Sequence, residues 1–368
     1  MQLTLPEEWT DALDEAERML AARKTERYQY CPIHRLPHAL AAESSSPSCS
    51  APDEIALWSY EQAQRVLGSG LKRACQQAME SERDLMALMA RRRTAMPWVL
   101  YIPPHTVLKT PIQIHTRATW EHLMLLVGQQ SEVKIELCRS VQQLGSLVLD
   151  VRLDEGASLQ IQELDQGADA YGFSALRGEC KSRARLKWTG ATQGGGCIRW
   201  DLALRLTGVE AEADVAGLWA LQSGAHGHAH VLIEHMAPHC SSHQLFKGLI
   251  PRGGVASFSG LIDVDRLAQK TMAYQLHQSL LLHPSARAYS KPSLDIRADD
   301  VKASHGSTTG HLEREHLFYL QSRGLDLELG QRLLAQAFMA PLLARLPTQW
   351  HAAFSGELSE CTTSQVES

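Results

Sequence analysis

From Met96-Pro97-Trp98 to about residue 310, apolar and polar residues alternate with period two. Val133, Ile135 and Leu137 alternate with Lys134, Glu136 and Cys138. Leu147, Leu149, Val151 and Leu153 alternate with Val148, Asp150, Arg152 and Asp154, and Leu159 and Ile161 with Gln160 and Gln162. Ile198, Trp200, Leu202, Leu204 and Leu206 repeat the pattern. Period two sends successive side chains to opposite faces of a strand. Short polar turns separate the strands, at Gly128–Ser131, Asp154–Ala157 and Gly194–Gly196. No 10–15-residue helical patterns lie between them, which disfavours alternating βαβ units. The recurring rhythm of strand, Gly-Ala-x-Leu and strand, as at Gly156-Ala157-Ser158-Leu159, leans towards a solenoid, although no fixed period is visible.

Helical periodicity brackets this region. Leu13, Ala16, Met19 and Leu20 predict a helix within residues 1–30, and 41–52 reads as a Ser/Pro-rich loop. A second helical stretch spans Asp53 to Arg93, broken near Gly68-Ser69-Gly70, with Met86, Leu88 and Met89 on its apolar face. Arg91-Arg92-Arg93 reads as a solvated, dipole-complementing helix end. Leu325–Leu346 carries a stripe of Leu329, Leu333, Leu334, Ala337, Phe338 and Leu342, which Pro341 should bend or interrupt. The tail from Ser355 reads as polar and loose. The expected organisation is a helical region at 1–96, a β core at 97–310 and a helical region at 311–368.

Composition narrows the function. The 368 residues carry a net charge of −5, which disfavours a chain built to coat nucleic acid or an anionic membrane. No apolar run approaches the ~20 residues of a membrane span. The acidic start (Glu7, Glu8, Asp11) does not read as a secretory signal, so a cytoplasmic setting is expected. The eight cysteines form no CxxC pair and read mostly as packing residues. Motifs for a P-loop, a dinucleotide fold, a zincin or a nucleophile elbow are absent.

Two constellations carry candidate chemistry. His226, His228, His230, His235, His239 and His243 surround Cys240, a soft and borderline donor set suited to zinc, copper or iron. His226, His228 and His230 share one face of a strand, but a single row does not converge on an ion. The second is Asp299-Asp300-Val301-Lys302-Ala303-Ser304-His305-Gly306. Ser304 and His305 are neighbours on opposite strand faces, so they do not read as a nucleophile–base pair. Asp299 and Asp300 suit either acid/base work on a polysaccharide or a turn with Asx-type bonding.

The second constellation sits in a longer string, Ser290-Lys291-Pro292-Ser293-Leu294-Asp295-Ile296-Arg297-Ala298-Asp299-Asp300-Val301-Lys302-Ala303-Ser304-His305-Gly306, continuing to Phe318-Tyr319-Leu320-Gln321-Ser322-Arg323-Gly324. With Cys240-Ser241-Ser242-His243-Gln244-Leu245-Phe246-Lys247-Gly248 and Phe258-Ser259-Gly260-Leu261-Ile262, it resembles the SufB/SufD family of iron–sulfur cluster assembly proteins, in its SufD-like form. The resemblance implies a mainly β fold, a right-handed parallel β-helix flanked by N- and C-terminal α-helical regions. It implies a non-catalytic scaffold that pairs with a SufB-type subunit through the β-helix and docks a SufC-type ABC ATPase through its C-terminal helices. ATP hydrolysis would belong to that partner.

The cargo would be a transient Fe–S cluster shared with the SufB-type partner, with none held tightly by the isolated chain. His305 takes the place of the family's interface histidine; His239, Cys240 and His243 are weaker metal candidates, and Phe318, Tyr319 and Arg323 are expected at the ATPase contact. The family's cysteine two residues before that histidine is Ala303 here, and the SufB-type cysteine would fall near Ile296, where there is none. Ser279 and His283 also depart from the family pattern. The alternatives are a purely structural subunit with no iron ligand of its own, or a β-solenoid carbohydrate enzyme using Asp299 and Asp300. The isolated chain could also pair with itself through the same β-helix edge.

Overall fold

The computed structural model describes residues 28, 31, 47–52, 55–80, 82–94, 96–167, 170–193 and 196–356. The expected helix over Leu13–Leu20 and the tail beyond Gly356 lie outside the described residues. Two nine-stranded sheets face one another. The first contains β1 (Ser48–Ser50), β4 (Ile112–Thr116), β6 (Glu132–Ser140), β8 (Ser158–Gln166), β10 (Arg185–Gln193), β12 (Glu212–Ala220), β14 (Ser241–Ile250), β16 (Met272–Leu281) and β18 (Lys302–His311). The second contains β2 (Leu57–Trp58), β3 (Trp98–Ile102), β5 (Trp120–Val127), β7 (Leu144–Leu153), β9 (Tyr171–Cys180), β11 (Cys197–Leu206), β13 (His226–His235), β15 (Val255–Val264) and β17 (Arg287–Ile296).

Each strand of the coil pairs in parallel with the strand one turn later, as Trp188 with Val215 and Trp200 with Ala229. The chain therefore alternates between two walls, which is a parallel β-helix. Among the described residues only the short β1 and β2 pair antiparallel, so part of the expected Ser/Pro loop is an edge strand.

The corners explain why no fixed period shows in the sequence. His105, Gln130, Gly156, Arg183, Glu210, His239 and Lys270 all adopt left-handed backbone, one per turn, at intervals that lengthen along the chain. Each donates its backbone N–H to a carbonyl of the next turn, from His105 onto Gln129 (2.8 Å) to Lys270 onto Asp300 (2.6 Å). The geometry repeats although the residue type and spacing do not.

The interior is the alternating set read from the sequence: Leu137, Leu149, Ile161, Leu186, Trp200, Leu204 and Val231 fall in one buried cluster. An aromatic column runs along it. Trp188 meets Trp200 edge-on, Trp200 stacks on Trp219, and Phe246, Phe258 and His277 continue the line at centroid spacings of 5.0–5.9 Å. Trp188 Nε1 donates to Glu163 (2.9 Å) and Trp200 Nε1 to Asp165 (3.2 Å), whereas the buried Trp219 Nε1 has no hydrogen-bond partner among the described residues.

Helices cover both outer walls. The N-terminal helices are α1 (Tyr60–Leu67), α2 (Ser69–Glu80) and α3 (Leu85–Thr94). Ser59 and Gln62 form a capping box on α1, Gly68 (φ 68°) ends it, and Asp84 Oδ1 accepts from the Met86 and Ala87 amides at the start of α3. The expected break near Gly68 is present, and a second one separates α2 from α3. Met86 and Met89 pack on Val148 and Phe173 of the second wall, which buries both faces of β7.

The arginine run at the end of α3 corrects the sequence reading. Arg91 is not solvated: it is 1% exposed and forms a two-pronged bond to Asp150 with Nη2–Oδ1 at 2.6 Å. Glu82 stands 3.4 Å from Arg91 and bonds Arg177 at 2.6 Å, and His122 bonds Asp150 at 2.6 Å. Burial alone would raise the Asp150 carboxyl; Arg91 and His122 instead hold it well below the usual range.

At the other end lie α4 (Arg314–Ser322), α5 (Leu327–Leu343), α6 (Thr348–His351) and α7 (Ala353–Gly356). Gly324 (φ 87°) separates α4 from α5, whose N-terminus Asp326 caps by accepting from Leu329 N–H. The buried face of α5 is Ala335, Met339 and Leu342 against Leu164, Leu218 and Leu249; of the expected stripe Leu342 is buried and Phe338 packs against this cluster, whereas Leu333 is exposed. Pro341 lies in the final turn, and the helix continues two residues past it. Among the described residues no helix is long and apolar enough to cross a membrane.

Candidate functional site

The final turn of the coil differs from the others. Among the described residues β17 pairs only with β15 and β18 only with β16, so each wall ends on a strand with one edge unpaired. Nearly every residue of β18 is exposed, as is much of β17. Pro292 is tolerated within β17 because an edge strand does not need every amide. Exposed apolar residues lie here on separate faces: Met272 and Tyr274 on the outer face of β16, Tyr289 on the outer face of β17 in the opposite wall, and Ile296 in register with the buried Val264.

His305 lies on β18 in register with Gln275, and Ser307 with His277. Paired residues of parallel strands share a face, so His305 stands on the face of the buried Gln275 and His277. No later turn covers it, and the imidazole is exposed. Ala303, in register with Ala273, offers no thiol beside it. Where the aromatic column ends at His277, the open turn begins.

The other sequence candidates fall in different places. His239 is an exposed corner residue. Cys240 points into the core, its Sγ 3.2 Å from Gly208 O, and burial pushes its thiol up. His243 is exposed on β14, 3.5 Å from Asp214. The three sequence neighbours therefore occupy a corner, the interior and an outer face. Asp299 and Asp300 sit at the last corner, where Asp300 pairs with Lys270 and its amide donates to Gln269 Oε1 (3.0 Å). That is turn bonding across successive coils.

Phe318 and Tyr319 are side by side on the outside of α4, 73% and 57% exposed, and no residue of α4 is buried. The Arg323 guanidinium lies 5.4 Å from the Tyr319 ring centroid. A cleft of about 690 Å³, lined in part by Leu281, His311, Leu312 and Leu317, separates the end of the coil from these helices.

One grouping escaped the sequence reading. Cys31, Cys197 and His228 converge on the outer side of the second wall. The row of His226, His228 and His230 was visible as a strand face, but its partners come from the adjacent strand and from the distant segment before β1. The only local signal was a cysteine opening one strand beside a histidine-rich one.

The SufBD core domain model of the SUF iron–sulfur cluster assembly system matches residues 112–338. The chain is 32% identical over 234 residues to the chloroplastic protein ABCI7 of Arabidopsis thaliana, covering 54% of this chain and 49% of that protein. It is 28% identical over 286 residues to an iron–sulfur cluster assembly SufBD family protein of Synechocystis, covering 72% and 62% respectively. It is 35% identical over 153 residues to the iron–sulfur cluster assembly protein SufD of Escherichia coli, covering 42% and 36%. The chain thus spans roughly half the length of the curated relatives it matches.

Proposed function

This chain belongs to the SufBD family of iron–sulfur cluster assembly proteins, and from that premise we propose that it is a SufD-like scaffold subunit whose open final turn docks a SufB-type partner. The observation that carries this reading is the open end itself: among the described residues two strand edges are unpaired, with Ile296 and His305 exposed on them. Unpaired edges template pairing with another chain. A SufB-type subunit presenting its own edges would close both. A second copy of this chain would be the substitute partner when the protein is isolated.

His305 would then lie inside the joint. Its exposed imidazole is a nitrogen donor of the kind that ligates iron. With Ala303 in place of a thiol, further ligands to a nascent cluster would come from the partner. The cluster is cargo passing through the joint, not a resident group. The exposed Phe318, Tyr319 and Arg323 on α4 are the proposed contact for a SufC-type ATPase, which would supply ATP hydrolysis while this subunit stays non-catalytic. The expected setting is the cytoplasm, although the Arabidopsis relative is chloroplastic.

A purely structural subunit is the second reading, favoured specifically by Ala303. Co-expression with SufB- and SufC-type partners separates the readings. A ternary complex that loses anaerobic iron or cluster loading on His305→Ala supports the ligand role. A complex that loads iron equally well leaves only the scaffold role. Failure of any complex to co-purify overturns the docking reading.

A further inference from the structure

Far from the open turn, the outer side of the second wall holds two thiols and an imidazole. Cys197 opens β11 and His228 lies on β13, where the register pairs Cys197 with His226 and Arg199 with His228. Adjacent strands thus place a cysteine and a histidine on one face, a residue pair apart. Cys31 arrives from the segment before β1, and its position is held by several contacts. The Cys31 amide donates to Tyr28 O at 3.0 Å. Tyr28 Oη donates to Asp84 Oδ2 at 2.7 Å and accepts from the Met86 amide, and the Arg199 guanidinium lies 4.5 Å over the Tyr28 ring.

The result is a convergent set. Cys31 Sγ and Cys197 Sγ are 3.4 Å apart, and the donor atoms of all three residues lie within 4.8 Å of one another. Cys31 is 7% exposed, Cys197 fully buried and His228 4% exposed. A disulfide requires about 2.0 Å between sulfurs, so these are two separate thiols. Two thiolates on a tetrahedral metal with bonds of about 2.3 Å stand roughly 3.8 Å apart, close to the observed spacing.

The imidazole supplies the discriminating observation. His228 Nδ1 is occupied by Ser257 Oγ at 2.7 Å, whereas the buried Nε2 has no hydrogen-bond partner. A buried ring nitrogen is normally satisfied. A serine on Nδ1 with Nε2 bare is the arrangement by which second-sphere groups orient a metal-binding histidine. A disulfide would leave that nitrogen unexplained.

We propose that Cys31, Cys197 and His228 bind one thiophilic divalent metal ion of the zinc class, with a fourth position open to an exchangeable ligand. Two thiolates, a neutral imidazole and an open position suit zinc, and ferrous iron after it. Binding exchanges two thiol protons for the ion, with no change of oxidation state. The site would tie Cys31, and with it Tyr28, to the wall of the β-helix. It is independent of the docking reading, because none of its residues belongs to the open turn.

Cobalt(II) is the probe, titrated anaerobically into the full chain after metal removal. The expected result is one equivalent bound, with sulfur-to-cobalt charge transfer in the near ultraviolet and visible bands of tetrahedral intensity. Cys31→Ser, Cys197→Ser and His228→Gln should each weaken binding by more than about tenfold, with a correspondingly altered spectrum. Ser257→Ala, which keeps all three donors and is the mildest change to the fold, should weaken it by about tenfold. Cys240→Ser and His243→Gln should leave the spectrum unchanged. Absence of thiolate bands in the unsubstituted chain would overturn the proposal, as would an unchanged spectrum in Cys31→Ser or a stoichiometric Cys31–Cys197 disulfide in protein kept anaerobic.

Discussion

The middle of the β-helix and its final turn use the same strand length and the same parallel register, yet they have opposite surfaces. β11 to β14 bury Trp200, Trp219 and Phe246 completely, while β17 and β18 leave most of their residues in solvent. A middle strand has a neighbour on each side and an opposite wall filled with side chains. Among the described residues the last turn has one neighbouring strand per wall and no further turn stacked on it. Backbone geometry therefore propagates to the end of the coil, whereas burial stops one turn earlier. What the middle obtains from the next turn, the final turn must obtain from another chain.

The largest expected contrast is in stability. Trp200→Ala removes two aromatic contacts and the indole hydrogen bond to Asp165 (3.2 Å), and should cost about 3–5 kcal/mol in denaturant unfolding. His305→Ala, at the open end, should stay within about 0.5 kcal/mol. Equal losses at the two positions would break the comparison.

The next contrast concerns how the walls are held. Asp150→Ala would remove the carboxylate shared by the buried Arg91 and His122 and leave Arg91 with Glu82 alone, with an expected loss of about 3 kcal/mol. The equivalent change at the last corner, Asp300→Ala, breaks an exposed pair with Lys270 and should cost under about 1 kcal/mol. Comparing the two by thermal unfolding sharpens the distinction between a sealed turn and an open one.

Acid should act on the sealed part. Burial holds His235 and His277 neutral, with their pKa values lowered to about 4. The unfolded chain binds those protons near pH 6.5, so it gains protons before the native state does. Stability should be intact above about pH 6.5 and fall as the pH drops towards 4, by about 1–2 kcal/mol per histidine between pH 7 and 5. Unfolding of the double variant His235→Gln, His277→Gln should show a smaller loss over that interval. An unchanged pH slope would contradict this assignment.

The sequence made the walls legible because period two survives wherever an interior face exists, as in Ile198–Leu206. It hid what depends on distant partners. Arg91 looked like a solvated helix end because Asp150 lies far along the chain on another element. The buried side of α5 could not be chosen from its own residues, since leucines occupy several sides and only the wall at Leu164, Leu218 and Leu249 decides between them. At the open turn the motif around His305 was visible, but its exposure was not. That depends on the chain supplying no further turn to cover it. Cys31 and Cys197 read as packing residues, because a long separation in sequence conceals a 3.4 Å approach.

The most direct test of the central claim is hydrogen exchange across residues 287–311, measured for the chain alone and with a SufB-type subunit. The docking account predicts fast exchange in the isolated chain relative to β11–β14, and marked slowing of β17 and β18 in the complex while the middle turns stay unchanged. Equal exchange of β17 and β18 with and without a bound partner would contradict it.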